Sequence, residues 1–150
     1  MKKLWPVPLL VFLADLVTKR IALGLTEPKV LIPGVLGLRL ARNTGAAFSL
    51  FRDTPVITIV ISCLLILLFP VLFIKLKPEG TEAFGLSLMF GGAAANLAER
   101  LVHGWVTDMV EFLFVSFPVF NIADICLTVG CAMAAVGLLL PTGKGKDNRS

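Results

Sequence analysis

The chain has 150 residues, 57% of them hydrophobic and 16% charged, with a mean hydropathy of +0.90. That balance excludes an ordinary soluble domain and points to a polytopic membrane protein, with room in one domain, 1–150, for about four spans of ~20 residues and no soluble appendage. The formal charge of +4 is modest, and its basic residues collect at the ends of apolar runs rather than in one stripe, so membrane lipids are expected partners and nucleic acid is not.

The first apolar run, residues 4–23, follows Lys2-Lys3 and has the outline of a signal peptide. Asp15, Lys19 and Arg20 interrupt it and no small-x-small site follows, so an uncleaved first span is predicted. Residues 24–54 form a long connection. Its Val35-Leu36-Gly37-Leu38-Arg39-Leu40-Ala41-Arg42 stretch alternates apolar and polar residues, as short strands do. Asn43-Thr44-Gly45 then marks a turn able to present an amide side chain. The second span, residues 55–74, contains no charge, and Pro70 would bend it without breaking it. The third, 83–102, is rich in small residues (Gly85, Gly91, Gly92, Ala93, Ala94, Ala95), which permit close helix packing. The fourth, 122–140, precedes a polar tail, 141–150. Cys63, Cys126 and Cys131 lie inside apolar runs and are read as small buried hydrophobes.

Short cytoplasmic loops are enriched in Lys and Arg. With both ends inside, the inner segments hold Lys2, Lys3, Lys75, Lys77, Lys144, Lys146 and Arg149, against Lys29, Arg39, Arg42 and Arg52 outside. The fold expected is therefore an all-α membrane protein of four transmembrane helices, N-in and C-in, with a small extracytoplasmic β element in the first outer connection. Asp108 and Asp124 then flank an outer hairpin at the membrane interface.

Carboxylates at that depth are costly and point to a working site. Asp15 and Lys19 are four apart, as are Asn96 and Arg100, and Asn121 and Asp124 are three apart, so each pair shares a helix face. Convergence of the three faces makes one polar pocket at the outer end. A purely local Asp15–Lys19 pair that eases insertion is the competing reading. One histidine, His103, read as an interfacial loop residue, is too few ligands for a metal site, and no Gly-x-Ser-x-Gly occurs. That leaves the aspartates. Two held close together tend to share one proton, so one can activate water while the other donates to a scissile carbonyl, with Asn121 or Arg100 steadying the oxyanion or the pair, and no cofactor.

Five blocks carry a family resemblance in order: Asp15-Leu16-Val17-Thr18-Lys19, Asn43-Thr44-Gly45-Ala46-Ala47-Phe48-Ser49, Gly91-Gly92-Ala93-Ala94-Ala95-Asn96-Leu97-Ala98-Glu99-Arg100, Val106-Thr107-Asp108 and Phe120-Asn121-Ile122-Ala123-Asp124. They resemble the lipoprotein signal peptidases, or signal peptidase II. The resemblance implies a four-helix aspartic endopeptidase of the bacterial inner membrane, with Asp108 and Asp124 as its dyad. Its substrates would be prolipoproteins, cleaved just before a cysteine that carries diacylglycerol, and globomycin-type inhibitors would bind it. Asn43, Gly45, Asn96, Arg100 and Asn121 match pocket residues of the family, and Asp15 and Lys19 match structural or substrate-adjacent ones. The chain departs from the usual family pattern at Ala95, commonly glycine, and at Glu99, commonly aspartate. A lipidated cysteine entering sideways from the bilayer would account for a membrane-level site, with Arg39 and Arg42 expected to hold the extended peptide.

Two rival readings remain from the residues alone. A small proton- or ion-coupled carrier would also need charges inside a bundle, although the two halves show no inverted repeat. A noncatalytic assembly factor docking through the small-residue face of the third span leaves the two aspartates unexplained.

Overall fold

The structure, a computed structural model, describes residues 4–45 and 55–139. Its elements run α1 (Pro6–Ala22), β1 (Lys29–Ile32), β2 (Leu36–Asn43), α2 (Pro55–Leu76), α3 (Gly80–His103), β3 (Val106–Phe112) and α4 (Ile122–Leu139). The expected tail at 141–150, and residues 46–49 of the second motif block, lie outside the described residues.

The helices are built inside out relative to a soluble bundle. On α1 the buried positions are Val11, Asp15, Lys19 and Ala22, whereas Leu9, Leu10, Leu13, Leu16, Val17 and Ile21 are exposed. On α2 the exposed set includes Val60, Leu64, Leu67, Leu68 and Val71. Apolar residues facing outward around a polar interior is the pattern that a lipid solvent selects. Two helices, at Val56–Leu76 and Ile122–Leu139, are long and apolar enough to cross a membrane by composition alone. The observed helices match the expected spans to within three residues at each end. Pro70 sits inside α2, which continues through it.

The small-residue helix α3 is the hub, packing on α1, α2 and α4. Its glycines are contact points. A Cβ at Gly85 would come within 2.5 Å of the Gly130 carbonyl oxygen, and one at Gly92 within 2.6 Å of the Ala123 carbonyl oxygen. Only the absence of a side chain lets α3 and α4 approach this closely. Phe69, Leu86, Ala93 and Ala134 form the apolar core beneath.

The strands confirm an ordered element in the first connection and correct its extent. The sheet has three antiparallel strands in the order β1-β2-β3, and β3 comes from the hairpin between α3 and α4. Asp108 therefore lies on a strand. Gly104, with φ 79°, ends α3 in the left-handed region and donates its N–H to the Arg100 carbonyl at 2.9 Å, turning the chain directly into β3. His103 is thus the last residue of α3 rather than a loop residue, stacked on Trp105 with ring centroids 5.6 Å apart. Cys63 and Cys126 are half-buried, but Cys131 is exposed on an outward helix face, contrary to the buried reading.

Candidate active site

β3 is an edge strand of the sheet, and its outward amides are taken by other parts of the protein. Met109 N–H donates to the Phe120 carbonyl at 3.0 Å, and Val110 and Phe120 form an isolated antiparallel bridge. That bridge folds the hairpin back so that Asn121, the residue before α4, lies beside Asp108. Asn121 is 0% exposed.

Asn121 links the two aspartates. Its Oδ1 accepts the Asp124 N–H at 2.8 Å, and the Asp124 carboxylate accepts the Asn121 N–H at 3.3 Å. This reciprocal pairing caps the first turn of α4. Because Oδ1 faces a backbone donor, Nδ2 must face the other way, where it donates to Asp108 Oδ1 at 2.7 Å. The same logic orients the other two amides. Asn43 Oδ1 accepts the Gly45 N–H at 2.9 Å, an Asx turn, which turns its Nδ2 onto Asp108 Oδ2 at 3.0 Å. Asn96 Oδ1 accepts from Lys19 Nζ at 2.8 Å, which turns its Nδ2 onto Asp124 Oδ1 at 2.9 Å. Each carboxylate thereby receives two N–H donors, and each amide orientation follows from an obligate donor on its far side.

Burial and the negative charge of Asp124 push Asp108 up from its ordinary carboxyl value to about 7, against the lowering pull of Asn43 and Asn121. Near neutral pH the Asp108 carboxyl is thus divided between its acid and anionic forms, as acid-base chemistry requires.

The outer shell is ionic. Lys19 Nζ lies 2.7 Å from Asp15 and 2.9 Å from Glu99. Asp15 Oδ1 also accepts the Ala123 N–H of α4 at 2.8 Å. The Asp15–Lys19 pair is therefore not a merely local one: it reaches α3 and α4. Arg100 Nη2 donates to the Gly45 carbonyl at 2.7 Å, and its buried Nε has no hydrogen-bond partner among the described residues. Arg39 and Arg42, expected over the pocket, are engaged within the fold. Arg39 Nε pairs with Glu111 at 2.7 Å, and the Arg42 guanidinium lies 4.8 Å from the Trp105 ring centroid.

Asn43, Asn96, Arg100 and Asp124 line a cleft of about 550 Å³ whose remaining wall is mostly apolar, with Ile61 and Leu65 of α2, Leu127 of α4, and Phe112, Phe117 and Phe120, interrupted by Thr58, Ser62 and Thr128. The aromatic wall is continuous, with ring centroids 5.1 Å apart for Phe112 and Phe120 and 5.9 Å for Phe117 and Phe120. All nine residues expected at the site are thus accounted for. Asn43, Asn96, Asp108, Asn121 and Asp124 form one hydrogen-bonded network, Gly45 joins it through Asn43 and Arg100, and Asp15 and Lys19 stand behind it. Sequence reasoning missed the Thr107–Glu99 contact and the aromatic wall; the available signals were Thr107 next to Asp108 and the phenylalanines between residues 112 and 120.

The chain is similar to known proteins along most of its length. Residues 7–140 match the family described as signal peptidase (SPase) II. The chain is 36% identical to a lipoprotein signal peptidase of Enterococcus faecalis over 90% of this chain and 83% of that protein. It is 34% identical to one from Lactiplantibacillus plantarum, over 82% of this chain and 81% of the other. A solved bacterial membrane enzyme at 27% sequence identity superposes with a TM-score of 0.88, covering 100% of this chain and 95% of that one.

Proposed function

The chain belongs to the signal peptidase II family, and from that premise we propose that it is an aspartic endopeptidase that removes the signal peptide from diacylglyceryl-modified prolipoproteins, with Asp108 and Asp124 as its catalytic dyad. The observation that carries the proposal is Asn121, which binds both aspartates at once, one of them, Asp124, in the wall of a largely apolar cleft. One ionised aspartate takes a proton from water, whose oxygen attacks the carbonyl carbon of the residue before the lipidated cysteine. The protonated aspartate donates to the carbonyl oxygen, giving a gem-diol; on its collapse the first aspartate passes the proton taken from water to the cysteine nitrogen, which leaves as an amine, and the second takes a proton back from a diol hydroxyl, leaving a carboxylic acid. Asn43 and Asn96 hold the carboxylates in place, and Arg100, through its spare donors beside Gly45, meets the peptide carbonyls.

The cleft wall of Ile61, Leu65, Leu127 and the phenylalanines suits acyl chains that remain in contact with lipid. The reading places one integral-membrane domain, 1–150, in the bacterial inner membrane with four spans, both ends inside and the dyad near the outer face. The excess of Lys and Arg in the inner segments supports that orientation. Globomycin-type inhibitors would compete for the same cleft, and no cofactor enters the chemistry.

The test is release of signal peptide from a diacylglyceryl-modified prolipoprotein by purified protein in detergent, comparing wild type with Asp108→Asn and Asp124→Asn. Both variants are expected to fold and to lose cleavage. Normal cleavage by either one removes the dyad mechanism.

A further inference from the structure

Glu99 is a charged residue that the chemistry above does not use. Its side chain is only 14% exposed and it makes three polar contacts. Oε2 accepts the Thr107 N–H at 2.9 Å, Oε1 accepts the Thr107 hydroxyl at 2.5 Å, and Lys19 Nζ lies 2.9 Å away. Thr107 immediately precedes Asp108. Across the site, Asp15 accepts the N–H of Ala123, which immediately precedes Asp124, and pairs with the same Lys19. Each aspartate of the site thus has its preceding backbone amide held by a carboxylate, and one ammonium joins the two carboxylates.

Resting on the peptidase reading above, we propose that Glu99 is a positioning residue: with Lys19 and Asp15 it forms a clamp that sets the separation of Asp108 and Asp124. The mechanical reason lies in β3. β3 pairs with β2 on one side only, with Thr107 opposite Arg42 and Asp108 opposite Ala41, so its other side is held by Glu99 at Thr107 and the Phe120 carbonyl at Met109. Releasing the first leaves that side of the strand held only at Met109 and Val110. From α3 the Glu99 carboxylate reaches both Thr107 groups and Lys19 at once. The clamp carries two carboxylates on one ammonium, a net charge of −1 beside the dyad, so it also tunes the dyad's protonation.

The experiment measures kcat, KM and the pH profile of kcat on the lipidated substrate for wild type, Glu99→Gln and Thr107→Val, with thermal unfolding followed alongside. Misplacing a reacting group by ~1 Å costs about a hundredfold, so Glu99→Gln is expected to lose roughly tenfold to a hundredfold in kcat, with KM within about twofold and the profile moved to lower pH. Thr107→Val, which keeps the Glu99–Lys19 pair, is expected to lose about twofold to tenfold. Folded Glu99→Gln with wild-type kcat and pH profile overturns the proposal, as does a loss confined to KM. If Glu99→Gln does not fold, Thr107→Val decides: wild-type kcat there overturns it. A wild type that cleaves nothing sinks the peptidase reading instead, so the two failures are distinguishable.

Discussion

Replacing Asn121 separates two jobs that one side chain performs. Asn121→Ala removes the cap from α4 and the 2.7 Å bond to Asp108 together, whereas Asn121→Ser restores a capping hydroxyl too short to reach Asp108. The cap is worth about 1 kcal/mol, which for a chain of this length is roughly 2–4 °C in Tm. The bond to a charged acceptor is worth about 1.5–3 kcal/mol, which is roughly tenfold to 150-fold in rate if the transition state bears all of it. The alanine variant is therefore expected to melt lower than the serine variant by about 2–4 °C, while both lose kcat to a similar degree. Losing the Asn121 donor also raises Asp108 above its value of about 7, so the acid side of the rate profile moves to higher pH in both. The assay is signal-peptide release from a lipidated substrate with thermal unfolding in the same detergent. Wild-type kcat in a folded Asn121→Ser refutes the reasoning, because it means the amide is only a helix cap.

Asp108 makes stability depend on pH with a definite sign. Its folded value is raised from 3.8 to about 7, so its favourable contribution is complete below about 3.8 and is lost as pH rises through about 7. Asp108→Asn, which never ionises, is expected to melt above wild type at pH 8 and to lose that advantage as pH falls toward 4; an advantage growing toward acid contradicts the burial argument. Gly92→Val is expected to force α3 from α4, since even a Cβ there lies 2.6 Å from the Ala123 carbonyl oxygen, in the turn that carries Asp124. Overpacking of this kind costs about 1–3 kcal/mol, read as a lower Tm and a fall in kcat; a wild-type Tm shows that the helices do not meet at Gly92.

The positions of the helices were legible because lipid imposes a simple rule: each run of about twenty apolar residues satisfies its own backbone, so composition alone marks α2 and α4. The polar spacings on α1 and α3 were legible for the same reason, since Asp15, Lys19, Asn96 and Arg100 are conspicuous in apolar surroundings. β3 was not legible. Its seven residues, Val106–Phe112, lack regular alternation, and they become a strand only because β2, some sixty residues earlier, offers an edge in register, with Asn43 opposite Val106. The partners of Arg39 and Arg42 were not legible for a related reason: Glu111 and Trp105 are brought close to them only by the sheet.

By itself, then, the sequence determined a membrane-class composition, the helices, and two aspartates with their attendant amides, because hydropathy and the cost of buried charge act locally along the chain. The tertiary structure alone decided which atoms of those amides face which carboxylate, that Asn121 serves both aspartates, and that Glu99 and Asp15 share Lys19. Those are pairings between residues as many as 108 positions apart, as Asp15 and Ala123 are, and they exist only once α3 has packed against α1 and α4 at glycine contacts.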